Sequence, residues 1–164
     1  MAISFIDAAK QQFLTYKELA EKAFLQLSDD QLFYQFNEEC NSIAMIIHHM
    51  RGNMRSRWTD FLTTDGEKSW RERDAEFEPW IADRSTLIRT WEEGWSCLFH
   101  TLDTLTTEDL MKIISIRNQE HTVIEAINRQ LAHYPYHVGQ IVYIGKMLVD
   151  KEWKSLSIPK KKWS

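Results

Sequence analysis

The stretch Thr122–Asp150, TVIEAINRQLAHYPYHVGQIVYIGKMLVD, decides the fold class. Ile124, Ile127, Leu131, Tyr134, Val138, Ile141, Ile144 and Leu148 recur at intervals of three and four, the spacing of one face of an α-helix. Pro135 lies inside this pattern. Proline removes a backbone donor and crowds the preceding turn, so a kink or a division into two pieces is expected there.

Three other stretches carry the same period. From Ser4 to Leu27 the stripe is Phe5, Ala9, Phe13, Tyr16, Ala20, Ala23 and Leu27. Ser28, Asp29 and Asp30 then interrupt it and can cap a short turn reaching Phe36. From Ser42 to Leu62 the stripe is Ile43, Ile46, Ile47, Met50, Met54, Trp58 and Phe61, with Asn41 or Ser42 as N-cap. From Ser85 to Thr104 it is Leu87, Ile88, Trp91, Trp95, Leu98 and Leu102. Four long amphipathic helices predict an all-α four-helix bundle occupying residues 1–164 as a single domain. The connection over residues 64–84 is too long for a tight turn between antiparallel neighbours. It suits a long crossover between the second and third helices, in the order up-down-down-up. Its WRERDAEFEPW run reads as a solvated or self-paired crossover, or else as a lid. Lys112–Arg117 reads as one short extended segment.

Composition narrows the function classes. The 164 residues carry a net charge of −4, so the dominant basic surface of a nucleic-acid binder is lacking. The lysine tail 160–162 is too short to change that. No apolar run approaches the roughly 20 residues that span a bilayer. Met1–Leu14 contains Asp7 and Lys10 without a basic leader, so no signal peptide is expected. Cys40 and Cys97 stand far apart and form no disulfide framework or zinc knuckle. These features predict a cytoplasmic protein that binds neither nucleic acid nor membrane. Met45, Met54, Trp95 and Phe99 exceed what one stripe per helix uses, and a homodimer face is expected from them.

Chemistry concentrates in histidines. His133 and His137 are one helical turn apart, so two imidazoles can meet one ion. Tyr134 stands where an HExxH protease carries its glutamate, which excludes that class. The spacing alone is a weak motif. The second helix offers His48 and His49 on the two flanks of its stripe, and periodicity hardly separates them. Three protein nitrogens with an open position would make a catalytic rather than a structural site.

The run SIAMIIHHMRGNMRSRWTDFLTTDGEKSWRERDAEFE, together with AINRQLAHYPYHVGQIVYIGK, resembles the DinB/YfiT-like family of metal-dependent four-helix proteins, in a bacterial subfamily of it. The specific element is H-x-x-x-H-x-G-Q-I, here His133 to Ile141. The resemblance implies a divalent-metal triad of His49, His133 and His137, with zinc, nickel or iron as the ion. His49 is chosen because Met50-Arg51-Gly52-Asn53 follows it, and the doubled histidine keeps His48 as the alternative. The resemblance further implies a metal-dependent transferase or hydrolase, similar to thiol-S-transferases, which activates a low-molecular-weight thiol such as bacillithiol or mycothiol, or a water. A non-catalytic metal- or ligand-binding protein is the competing expectation. Among the arginines, Arg51, Arg57 and Arg129 are expected to bind substrate. Gln140 and Asn53 are expected to support the ligands from behind.

Overall fold

The structure is a computed structural model and describes residues 4–79 and 83–159. It is mostly helical. Helices α1 (Phe5–Phe24), α2 (Asp29–Phe33), α3 (Ile43–Trp58), α4 (Arg84–Thr104) and α5 (Val123–Val149) are joined by one small hairpin and three single 3₁₀ turns. Each helix starts at a residue whose side chain accepts from the first-turn backbone: Ser4, Ser28, Ser42, Asp83 and Thr122. At Thr122 the bond is reciprocal, with the Glu125 carboxylate accepting the Thr122 N–H at 2.7 Å. Such caps stabilise a helix by about 1 kcal/mol each.

The helix ends depart from the periodicity. α1 stops at Phe24 and tightens through bonds from Gln26 N–H to Ala23 and from Leu27 N–H to Phe24. α3 stops at Trp58, four residues short of Leu62. Asp60 enters the left-handed region at φ 48°, and its carbonyl accepts from Thr63 and Thr64 instead of continuing the ladder. α5 stays one continuous helix across Pro135. Only the bond to the Leu131 carbonyl is lost, while Tyr134 and Val138 on either side of Pro135 are fully buried and hold the helix in place.

α3 packs chiefly on α4, and α1 on α5. Between them lies an aromatic core. Phe13 meets Trp95 and Tyr134 at centroid distances of 6.4 and 5.8 Å, and Trp91 meets Phe24 and Trp95 at 5.3 Å each. The Tyr134 hydroxyl accepts from Trp58 Nε1 at 2.9 Å and donates to Asn53 Oδ1 at 3.1 Å, so its polar atom is satisfied inside the core. Met45, Met54 and Trp95 are buried within this one chain. They are core, and a homodimer face cannot be drawn from them.

β1 (Ile113–Ile116) and β2 (Gln119–Thr122) form an antiparallel pair with Ile113 opposite Thr122 and Ile116 opposite Gln119. The expected extended segment is therefore one arm of a hairpin. Arg117 and Asn118 both have positive φ, 55° and 59°, as a two-residue type I′ turn requires. Asp65 of the crossover accepts both turn N–H groups, at 2.9 and 2.8 Å. The crossover is thus sewn to the hairpin at one end. Its residues 80–82, which include Trp80, and the lysine tail 160–162 lie outside the described residues. No helix among the described residues is long and apolar enough to cross a membrane.

Candidate metal centre

α3 supplies His49, and α5 supplies His133 and His137 one turn apart. One ring nitrogen of each lies within 4.8 Å of the other two. His49 is 5% exposed and His137 8%. The rings stand edge to face, with centroids 4.7 to 5.6 Å apart. His48, 100° further round α3, lines a separate cleft with Arg51, Gly52 and Trp70.

Each ring is held from behind. His49 Nδ1 donates to Glu76 Oε2 at 2.9 Å, His133 Nδ1 to Gln130 Oε1 at 3.1 Å, and His137 Nδ1 to Gln140 Oε1 at 2.9 Å. A proton on every Nδ1 leaves a lone pair on every Nε2. The Nε2 atoms of His133 and His137 then face one another across 3.0 Å. Two lone pairs at that distance repel unless a positive charge lies between them. Two nitrogens bound tetrahedrally to zinc at about 2.0–2.1 Å would stand about 3.3 Å apart, close to the distance found. The residues present therefore fit a divalent ion with three imidazole ligands.

The electrostatics agree. Burial, with the neighbouring His137 and His49 rings, lowers His133 to about 3. Burial and the His49 ring lower His137 to about 4. Both rings are neutral at pH 7, the state in which imidazole binds a metal.

Glu76 was invisible to the sequence argument, and it organises the third ligand. It sits on the 3₁₀ turn Asp74–Phe77 of the crossover and is 4% exposed. Arg71 grips its two oxygens at 2.7 and 2.8 Å. Burial opposes a charge on Glu76, but the hydrogen bonds from Arg71 and His49 outweigh it and hold the carboxyl below the usual range. Phe77 lies on the His49 ring, centroid to centroid 4.7 Å. A methyl group at Gly52 would stand 2.0 Å from Glu76 Oε1, so only glycine lets the crossover come this close to α3. The crossover is therefore self-paired through Arg71 and Glu76 and at the same time a wall of the site.

The histidines open into a cavity of about 340 Å³ whose other walls include Arg57, Arg71, Arg73, Arg117, Arg129 and Tyr136. Of the arginines expected to meet substrate, Arg57 and Arg129 are here. Arg51 is not among them and lines the neighbouring cleft with His48. It bonds Glu93 on α4 at 3.0 and 3.2 Å, because residues 51 and 57 of one helix point in directions about 120° apart. Asn53 lines the cavity and accepts from Tyr134. Gln140 touches His137 on one side. On the other it lines a second, more apolar cavity of about 550 Å³ with Tyr34, Phe36, Tyr143 and Met147.

A family profile described as a protein of unknown function, DUF1572, matches residues 1–162. The chain belongs to the DUF1572 family. No curated protein matches it. Among solved structures, the DUF1572 chain is similar to a conserved protein of Enterococcus faecalis. The two superpose with a TM-score of 0.69 at 15% identity, over 92% of this chain and 100% of that one. At that identity the likeness shows the fold alone.

Proposed function

We propose that this chain is a metal-dependent enzyme of the DinB/YfiT-like kind, an up-down-down-up four-helix bundle whose three-histidine centre activates a low-molecular-weight thiol. The observation that supports this most is the set of three Nδ1 atoms held by Glu76, Gln130 and Gln140, with the Nε2 atoms converging on an open cavity. A divalent ion bound there supplies the charge that keeps a coordinated thiol or water deprotonated near neutral pH. The chain's own part is to hold three neutral imidazoles in one orientation, to seal His49 behind Phe77, and to present cations to the rest of the substrate.

Thiol is favoured over water by the lining. No aspartate or glutamate lines the cavity among the described residues, and Glu76 behind it is committed to Arg71 and His49. A hydrolase would need a base to direct its water. A thiolate needs much less help. The apolar cavity beyond Gln140 is of a size and lining suited to the electrophile. The same want of a base also supports the second reading, a non-catalytic metal-binding protein.

The test loads the protein with zinc or nickel and adds bacillithiol, mycothiol, glutathione or cysteine with a haloarene or bimane electrophile. Accelerated thiol consumption that survives Cys40→Ser and Cys97→Ser is expected, because the nucleophile belongs to the cosubstrate. Metal-loaded protein that neither binds nor consumes any of these thiols would leave the binding-protein reading in its place.

A further inference from the structure

Arg57 is 2% exposed, yet none of the hydrogen bonds or ion pairs among the described residues uses it. Its Nε and Nη1 are buried without a partner. An arginine cannot escape this by giving up its proton, and an unpaired buried guanidinium is costly. Burial, with Arg129 and Arg71 nearby, pushes its pKa down.

The acceptors around it are already engaged. Gly66, whose added methyl would stand 2.7 Å from Arg57 Nη1, gives its carbonyl to the Ser56 hydroxyl at 3.0 Å. Asn53 Oδ1 is taken by Tyr134, and Gln130 Oε1 faces His133. Glu67 pairs with Arg71 and Arg117 at 3.4 and 3.1 Å. Five arginines therefore line the histidine cavity against two paired carboxylates, Glu67 and Glu76. Arg57 and Arg71 lie within the cavity wall, while Arg73, Arg117 and Arg129 stand exposed around its mouth. Both Arg57 and Arg71 act electrostatically on His133, which places them within reach of the centre.

We propose that Arg57 and Arg129 form an oxyanion subsite beside the histidines, which takes a doubly charged phosphate or dicarboxylate group of the substrate. The inference rests on reading the histidine cavity as the place where substrate enters. It deepens that reading by naming the substrate as an anion. The planar guanidinium fork fits either group, donating two N–H bonds to two oxygens. Arg57 meets the cavity with the part of its guanidinium that is not sealed, and an anion bound there would compensate the buried charge that Nε and Nη1 leave unpaired.

The experiment uses the full chain without added metal. Inorganic phosphate and succinate are titrated by calorimetry and by thermal shift, at ionic strength held constant with sodium chloride. At least one should bind, and Arg57→Met should weaken it by about tenfold or more, the worth of a charged hydrogen bond. Arg57→Lys should recover part of the loss and Arg129→Met should reproduce some of it. Arg89→Met, on the exposed face of α4, should change nothing. Without anion, Arg57→Met should melt at or above the wild-type temperature, because a buried unpaired charge has been removed. Tighter phosphate binding assigns a phosphoryl group, and tighter succinate binding assigns carboxylates. If neither anion binds beyond the chloride control, or if Arg57→Met and Arg57→Lys bind like wild type, the subsite is refuted. A separate zinc titration without anion reads the histidines. Zinc binding without anion binding overturns this inference and leaves the metal centre standing. Anion binding without zinc binding does the reverse.

Discussion

Tyr134 and His133 are neighbours on α5 and face opposite worlds. Tyr134 points into a core of Phe13, Trp95 and Trp58 in which every ring packs on another, and its one polar atom is bonded on both sides. His133, half-buried, points into a cavity where imidazoles meet lone pair to lone pair and a guanidinium lies unpaired. The first region is closed by packing, with Trp95 Nε1 its one buried donor without a partner among the described residues. The second is held rigidly from behind and left unsatisfied in front. Rigid support with an incomplete face is the signature of a binding centre, since structural polar networks satisfy themselves. The two regions should therefore answer differently to the same kind of perturbation.

The largest effect belongs to the core. Trp95→Ala should lower stability by about 3–5 kcal/mol, as removal of a fully buried large side chain does. Chemical denaturation followed by Trp fluorescence measures it. Zinc affinity of the protein that remains folded should stay within about threefold of wild type, since Trp95 packs on Phe13, Trp91, Phe99 and Tyr134 and on none of the ligand rings.

Glu76→Gln should act the other way. It keeps the shape of the crossover, but an amide is a weaker acceptor for His49 and leaves Arg71 only its longer contact with Glu67. Metal affinity should fall by about 10–100-fold, the usual effect of losing a partner behind a metal ligand. Calorimetric zinc titration would show it. An unchanged affinity would mean that the Glu76–His49 contact is only structural.

A further effect is in the pH dependence of the metal-free protein. His133 and His137 are lowered to about 3 and 4 in the folded chain, against about 6.5 when unfolded. Below pH 6.5 the unfolded state therefore binds more protons than the folded one, and stability falls as pH drops from 6.5 towards 4. Glu76, held below the usual carboxylate range, adds a loss of the same sign at the acid end. Melting temperatures across this window should decline gradually. Replacing both histidines by asparagine should flatten the decline, whereas Trp95→Ala should shift the whole curve without changing its slope.

Much of this contrast was legible in the sequence. Helix periodicity located the helices, and Ser28 and Ser42 were readable as caps, because both signals are local. The turn of helix between His133 and His137 is likewise local. Glu76, Arg71 and Phe77 were not legible, because they lie in a crossover without period and meet His49 only through tertiary structure. Gln130 had a signal that went unread: it precedes His133 by three residues, within reach on the same helical face. The turn Arg117-Asn118 lacks the glycine that usually announces a type I′ hairpin, and Asp65, some fifty residues upstream, stabilises it instead.

The central claim is that His49, His133 and His137 hold one divalent ion. Elemental analysis of protein purified without a histidine tag, before and after zinc loading and exhaustive desalting, tests it most directly. The account predicts close to one ion per chain. It also predicts nitrogen-only protein ligation by X-ray absorption, and a loss of more than about 100-fold in affinity in His133→Ala while the fold persists, since a ligand should count for more than its supports. A wild-type chain that retains no metal, or a His133→Ala chain that retains as much as wild type, would contradict it.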